Sequence, residues 1–268
     1  MIVSDAYSKF AGLSIALADH VLTLTMDNPP VNAMTAETHF SLATIWDQVG
    51  NDPDVRCVVI TGAGDRAFSA GGSLQGMIDH WGDHGRWQIG MAEARALILG
   101  MLSCPKPIIS RINGHAMGLG ASIALSADIT IAVDEAKIGD PHVGVGLTAG
   151  DGGALLWPNL VGLVEARRYL LSGDPLTGKE AAAKGLITGS VPREALDTEV
   201  KRWTDNFLSK SPVAIQTTKQ ALNLDLVEKA KKYLGEMLRL ETKSWESPHH
   251  LESVRALLEK RQPVFGND

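Results

Sequence analysis

Residues 138–153 hold the side chains best suited to proton transfer. This stretch, IGDPHVGVGLTAGDGG, contains six glycines together with Asp140, His142 and Asp151. Glycines let the backbone approach a neighbouring group closely because they carry no Cβ, and a histidine or carboxylate among them could act as a general acid or base. We interpret Asp140 as a turn or hydrogen-bonding residue, whereas Asp151 fits either the cap of the following helix or a catalytic carboxylate.

Two further glycine-rich stretches, AFSAGGSLQGM and INGHAMGLGASIALSAD, place small residues between a predicted strand and a point where a helix can begin. A backbone N–H that points outward from each turn would supply two donors, the arrangement that stabilises a developing oxyanion. Two tight turns that need glycine for a positive φ explain the same residues. The bare pattern leaves both interpretations open.

Other familiar motifs are incomplete. TGAGDRA matches a dinucleotide-binding GxGxxA after a strand, but another glycine turn follows where that site requires a helix. GGSLQG misses the GxSxG of serine hydrolases because Gln75 stands at the last glycine position. The histidines are scattered without an HExxH motif, so we predict no metal site.

The composition limits the class of protein. The 268 residues, 44% hydrophobic and 21% charged, are typical of a globular protein with one large domain or two smaller ones. The net charge of −6 disfavours nucleic acid as a partner, and no apolar run is long enough to span a membrane. Cys57 and Cys104 show no CxxC spacing, and the start MIVSDAYSKF lacks the pattern of a signal peptide. We therefore expect a cytoplasmic location.

The elements that position these residues follow a repeated pattern of strand, glycine turn and helix up to about residue 195. LSIAL and VLTLTM predict an antiparallel hairpin, and a helix follows with Thr35 as its cap and Gly50 at its end. TGKEAAAKG contains a capping box, Thr177 with Glu180. Residues 196–268 read as helices that cover the core or a neighbouring subunit.

Five segments, in order over almost the whole chain, resemble the crotonase superfamily of enoyl-CoA hydratases and isomerases. They are VVITGAGDRAFSAGGSL, KPIISRINGHAMGLGASIALSADITIA, IGDPHVGVGL, EARRYLLSGDPLTGKEAAAKGLI and VRALLEKRQPVF. The resemblance implies an α/β fold: a spiral of ββα units over residues 1–195 that binds acyl-CoA, and a C-terminal helical trimerisation segment over residues 196–268. It also implies a homotrimer or a dimer of trimers, with coenzyme A as part of the thioester substrate and no prosthetic group.

The resemblance also assigns roles to individual residues. The N–H groups of Gly72 and Leu119 would hold the thioester oxygen and stabilise an enolate. The carbonyl of Ala70 would face the adenine of CoA. Lys260 would approach the CoA phosphates, often across a subunit boundary in relatives, although a solvated lysine at a helix end explains it equally well.

The chain departs from the family at the proton-transfer positions. Ser122 and His142 stand where hydratases carry two glutamates, and serine at its ordinary pKa is no general base. Some isomerases carry an aspartate one position before Asp151, which here is Gly150. We predict that His142 transfers the proton with help from Asp151, since an imidazole pKa of about 6.5 suits neutral pH.

The expected activity is hydration, double-bond migration or a related lyase step on an acyl-CoA, in fatty acid metabolism or a similar route. Alternatives are an acyl-CoA decarboxylase or C–C hydrolase that uses His142, or a catalytically silent CoA-binding relative. The acyl pocket is expected within residues 74–100, where Met77, Trp81, Trp87 and Met91 would suit an apolar or aromatic chain.

Overall fold

Ten strands and ten α-helices are found within residues 5–266, the part of the chain that the structure, a computed structural model, describes. Residues 1–4 and 267–268, which begin the N-terminal stretch and end the predicted helical segment, lie outside that range. The strands are β1 (Leu13–Ala18), β2 (Val21–Met26), β3 (Cys57–Gly62), β4 (Ala67–Ser69), β5 (Ile108–Ile112), β6 (His115–Met117), β7 (Ile129–Val133), β8 (Lys137–Gly139), β9 (Leu176–Thr177) and β10 (Gly189–Val191). The helices are α1 (Ala36–Thr44), α2 (Trp46–Asn51), α3 (Leu74–Asp79), α4 (His84–Ser103), α5 (Leu119–Leu125), α6 (Gly153–Ser172), α7 (Gly178–Ala183), α8 (Leu196–Leu208), α9 (Pro212–Trp245) and α10 (Pro248–Leu258).

The ten strands form two sheets. The larger has the order β1-β2-β3-β5-β7-β10, in which β1 and β2 form the predicted antiparallel hairpin and the other pairs are parallel. The smaller has the order β4-β6-β8-β9. Each unit adds one strand to each sheet before its helix: β3 with β4, β5 with β6, and β7 with β8. The expected spiral of ββα units is therefore confirmed.

The core lies between the larger sheet and the helices. All six residues of β3 are buried, as expected for a parallel strand covered on both faces. All seven residues of α5 are buried as well, and this helix packs directly against β4. Gly120 makes that packing possible, because a Cβ at this position would collide with the carbonyl of Ser69.

Local capping signals are confirmed except for one helix end. The Thr35 side chain accepts from the N–H of Thr38, and Thr177 with Glu180 forms the predicted capping box. The helix predicted to end at Gly50 is instead divided into α1 and α2, and Gly50 lies inside α2. Its missing side chain makes room for Pro105, whose Cδ would be 3.1 Å from a Cβ at this position. Packing, and not helix termination, therefore explains this glycine.

The C-terminal helices lie over the spiral. Helix α9 has 34 residues and packs against α4 and α6, while α10 contacts α3 and the 3₁₀ helix His142–Val145. Through these contacts α10 lies against the segment that carries His142. No helix within residues 5–266 is long and apolar enough to cross a membrane.

Candidate active site

His142 lies between two buried carboxylates. The chain leaves β8 at Gly139, and Asp140 then accepts hydrogen bonds from the backbone N–H of His142 (3.3 Å) and from its ring Nδ1. The opposite ring nitrogen, Nε2, lies 3.4 Å from Oδ2 of Asp151. All three side chains are buried. Asp140 thus has the expected hydrogen-bonding role, and its main partner is the imidazole that it orients.

Asp151 does not cap helix α6, so that interpretation is wrong. Gly152 is the N-cap residue of α6, and no side chain accepts a hydrogen bond there. The chain turns at Gly152, where φ is 137°, and the carboxylate of Asp151 faces His142 instead. Its other oxygen, Oδ1, is buried without a hydrogen-bond partner within the described residues.

The protonation of His142 differs from the sequence-based expectation. Burial disfavours the charged ring, but the carboxylates of Asp140 and Asp151 outweigh it and hold the pKa of His142 well above the ordinary value. The raised pKa favours the protonated ring, in which an N–H faces each carboxylate. A protonated imidazole cannot accept a further proton, so the neighbouring carboxylates are the candidate bases.

Glu241 joins this group from helix α9 and was missed by the sequence analysis. Its side chain is 2% exposed, and it borders the same cavity as His142 and Asp151. Burial and the neighbouring carboxylates of Asp151 and Asp140 raise the pKa of Glu241 well above its usual range, with His142 opposing the shift. The raised pKa favours the protonated, uncharged form of Glu241.

The cavity has a volume of about 540 Å³ and brings four predicted site residues together: Gly72, Leu119, His142 and Asp151. The two glycine turns meet at its wall, since a Cβ on Gly71 would lie 3.2 Å from the backbone nitrogen of Leu119. Within residues 5–266, neither the N–H of Gly72 nor that of Leu119 donates a hydrogen bond. Both donors are thus free for a ligand.

Ser122 lies outside this wall. It is buried one turn into α5, and its Oγ has no hydrogen-bond partner within the described residues. A Cβ on Gly152 would lie 2.8 Å from that Oγ. Ser122 therefore packs behind the turn that carries Asp151, whereas His142 borders the cavity.

Met77, Trp87 and Met91, three of the residues predicted to shape the acyl pocket, border this cavity together with the charged residues Asp83, Arg86 and Glu93. Trp87 stacks on Trp245 with ring centroids 4.7 Å apart, and its Nε1 donates to Oγ1 of Thr242 at 2.9 Å. Trp81 does not border this cavity; its Nε1 donates to the carbonyl of Trp245 at 3.1 Å.

The two residues predicted to contact CoA lie apart from this cavity. The N–H of Ala70 donates to the carbonyl of Val31 at 3.0 Å, which fixes the turn before Gly72. Lys260 follows α10, is exposed, and has a positive φ of 55°. It does not border the cavity of its own chain, so its contact with CoA stays a prediction.

Asp140, His142 and Asp151 also offer one ligand atom each within 4.8 Å of one another, a spacing compatible with a metal ion. The two carboxylates face opposite nitrogens of the ring, however. An ion bound at Nε2 would have the imidazole between itself and Asp140. The contacts describe a carboxylate–imidazolium–carboxylate array better than a metal centre.

The spiral of ββα units, with a cavity at its two glycine turns, defines the crotonase fold. The chain belongs to the enoyl-CoA hydratase/isomerase family, whose model matches residues 17–268. It is 35% identical to a probable enoyl-CoA hydratase of Bacillus subtilis, over 94% of this chain and 98% of the relative. It is 32% identical to a crotonyl-CoA hydratase of Syntrophomonas wolfei, over 88% of this chain and 90% of the relative. An enoyl-CoA hydratase/isomerase structure from Mycobacterium paratuberculosis has a TM-score of 0.85 at 31% identity, with 93% of this chain and 98% of that chain covered.

Proposed function

We propose that this protein transfers a proton at the α-carbon of an acyl-CoA thioester and stabilises the resulting enolate with the N–H groups of Gly72 and Leu119. One observation carries the proposal: two unpaired backbone donors and the Asp151–His142 pair border a single cavity. Donors that are fixed before the reaction stabilise the charge that develops on the thioester oxygen without further reorganisation.

In this proposal Asp151 accepts the proton and His142 supports it. The ring of His142 lies beside Oδ2 of Asp151, while Oδ1 has no hydrogen-bond partner within the described residues and is the oxygen left to receive a proton. Asp140 keeps the ring oriented through Nδ1. His142 thus acts jointly with Asp151, and the family's two glutamate positions, here Ser122 and His142, no longer supply a carboxylate base.

The remaining parts of the proposal concern binding and assembly. The carbonyl of Ala70 contacts the adenine of CoA, and Lys260 reaches CoA phosphates near a subunit boundary in a trimer or a dimer of trimers. The 1–195 spiral binds the thioester, and the 196–268 helices support the trimer. The apolar surface of Met77, Trp87 and Met91 supports an apolar or aromatic acyl group.

Exchange of the α-proton tests the proposal directly. The protein is incubated with butyryl-CoA in heavy water, and deuterium at the α-carbon is followed by mass spectrometry. Asp151→Asn should slow the exchange by about 100-fold or more, and His142→Gln by at least about tenfold, because each removes part of the proton-accepting pair. Asp65→Asn, an exposed residue away from the cavity, is the matched control.

Three results would contradict the proposal. A wild-type protein that binds butyryl-CoA but exchanges no deuterium would be a silent CoA-binding relative. Exchange at the wild-type rate in Asp151→Asn would place the base elsewhere. Release of CoA or carbon dioxide from β-keto thioesters, without α-proton exchange, would favour a C–C hydrolase or a decarboxylase.

A further inference from the structure

A second histidine–carboxylate pair, His39 with Glu93, borders the cavity. Nδ1 of His39, from α1, lies 2.6 Å from Oε2 of Glu93, in the middle of α4. The two side chains are 13% and 19% exposed, and both residues border the cavity. Within residues 5–266 the pair makes no hydrogen bond with the proton-transfer group of His142 and Asp151. The pair is therefore available for another task in the same cavity.

Glu93 determines which ring nitrogen of His39 is left for a ligand. A carboxylate accepts hydrogen bonds and donates none, so Nδ1 of His39 carries the proton that is donated to Glu93. The opposite nitrogen, Nε2, has no hydrogen-bond partner among the described residues. Nε2 accepts a hydrogen bond when the ring is neutral and donates one when the ring is protonated. A hydroxyl group suits both forms, because it can donate and accept.

We infer that His39, oriented by Glu93, selects an acyl group that carries a hydroxyl beyond its β-carbon. This inference rests on the proposed function, in which the N–H groups of Gly72 and Leu119 hold the thioester oxygen. Nε2 of His39 bonds to the hydroxyl, and Glu93 is a positioning residue that keeps the ring in place. The hydroxyl lies beyond the β-carbon because the pair makes no contact with the residues that act at the α-carbon.

The size and charge of the cavity fit such an acyl group. A volume of about 540 Å³ is in the range of small-molecule sites and has room for more than a short acyl chain. Met77, Trp87 and Met91 offer apolar surface to its carbon atoms. Of the described residues that border the cavity, four carry a carboxyl group and one is an arginine. This excess of acidic groups disfavours an acyl chain that ends in a carboxylate.

Binding of matched thioesters tests the inference. Isothermal titration calorimetry compares 6-hydroxyhexanoyl-CoA with hexanoyl-CoA, and 3-(4-hydroxyphenyl)propanoyl-CoA with 3-phenylpropanoyl-CoA. We expect the wild type to bind the hydroxylated member of at least one pair about three- to tenfold more tightly, the effect of one additional hydrogen bond. His39→Phe keeps a ring but no ring nitrogen, so this preference should disappear while the affinity for the apolar member changes little.

His20→Asn is the matched control for the loss of a histidine. His20 is exposed, does not border the cavity, and contacts the carbonyl of Asp54 through Nδ1 at 2.9 Å. Its φ of 65° is one that asparagine also adopts. The preference for the hydroxylated thioester should be unchanged in this variant.

Two variants of Glu93 separate a positioning role from a structural one. Glu93→Gln keeps an oxygen that accepts from Nδ1 of His39, so most of the preference should remain. Glu93→Met has a similar length but no acceptor, so the preference should fall toward that of His39→Phe. If the pair only ties α1 to α4, both variants lose stability in urea unfolding and the ratio of affinities stays at the wild-type value. These variants also test the inference if His39→Phe does not fold.

The outcomes are distinguishable from a failure of the proposed function. If the wild type prefers the hydroxylated thioester through His39 but exchanges no α-deuterium, the proposed function fails and the role of His39 in binding stands. Equal affinities within both pairs in the wild type, or an unchanged preference in folded His39→Phe, overturn this inference alone. Tighter binding of adipoyl-CoA than of 6-hydroxyhexanoyl-CoA would show a site for an anion and would also overturn it. If the wild type binds none of these thioesters, both proposals are wrong.

Discussion

Replacement of Leu119 by proline removes one oxyanion donor with little disturbance to the backbone. Leu119 is the first residue of α5, a position at which the N–H has no partner within the helix and proline is well accepted. The preceding residue, Gly118, has φ 54° and ψ −127°, outside the α region that a following proline disfavours. Leu119→Pro therefore deletes the donor and the leucine side chain, and Leu119→Ala deletes the side chain alone.

The comparison of the two variants gives the size of the donor's contribution. Both lose a side chain that is 8% exposed, so both should lose stability, by about 2–5 kcal/mol at most. Loss of one oxyanion donor costs roughly 2.7–4 kcal/mol of transition-state stabilisation, so Leu119→Pro should exchange the α-proton about 100- to 1000-fold more slowly than Leu119→Ala. Affinity for butyryl-CoA should differ far less, because the donor acts mainly on the developing charge.

The assay is deuterium incorporation into butyryl-CoA at saturating substrate, with circular dichroism to confirm that both variants are folded. The same reasoning applies to Gly72→Pro. Its control is Gly72→Ala, which keeps the N–H and whose Cβ would meet only the flexible end of Met77, at 3.0 Å. Equal exchange rates in folded Leu119→Pro and Leu119→Ala would remove Leu119 from the oxyanion site.

Two further predictions concern pH and assembly. The groups that face His142 are Asp140, Asp151, Glu241 and the buried His250, whose pKa is lowered by its burial. Because the folded state raises the pKa of His142, the stability that its proton provides is complete below about pH 6.5 and is lost as the pH rises toward the folded-state value, by up to about 1.4 kcal/mol per pH unit. Urea unfolding at pH 6, 7 and 8 should show this loss of stability in the wild type and in His80→Gln, a control at an exposed histidine, but not in His142→Gln. If the free energy of unfolding changes equally with pH in all three proteins, the raised pKa of His142 is refuted. Light scattering should show a trimer or a hexamer, and a monomer would contradict the predicted assembly. Lys260→Ala should weaken CoA binding more at low salt than at high salt, since exposed charges are screened. A loss of affinity that is independent of salt would contradict the contact between Lys260 and the CoA phosphates.

The sequence predicts those parts of the site that depend on short-range patterns. Gly72 and Leu119 follow strands in glycine turns, and His142 and Asp151 share one glycine-rich loop. Each of these residues borders the cavity. The hairpin and the caps at Thr35 and Thr177 are equally local and are confirmed.

Features that depend on distant contacts could not be read from the sequence. Glu228, Glu236 and Glu241 look alike along α9, and the close approach of the Gly150 turn accompanies the burial of Glu241 alone among them. Asp151 precedes helix α6 at a position typical of a helix cap, yet its side chain contacts His142, nine positions earlier in the chain. The direction of the pKa shift of His142 depends in the same way on distant contacts, because the carboxylates of Asp140 and Asp151 outweigh the effect of burial. Gly50 resembles a glycine that ends a helix, but it lies against Pro105, where a Cβ would be crowded.

The stacked pair Trp87 and Trp245 has a consequence for substrate selection. Trp245 lies one turn after Glu241 on the same face of α9, and Trp87 forms part of the apolar wall. Under the proposed function, an acyl chain too large for the cavity would displace Trp87 and disturb its stacking on Trp245 and its hydrogen bond to Thr242. Helix α9, which carries Glu241, would then lose contacts, so we expect a thioester of unsuitable size to bind and still turn over slowly. We expect selectivity among acyl chains to be expressed in kcat more than in KM.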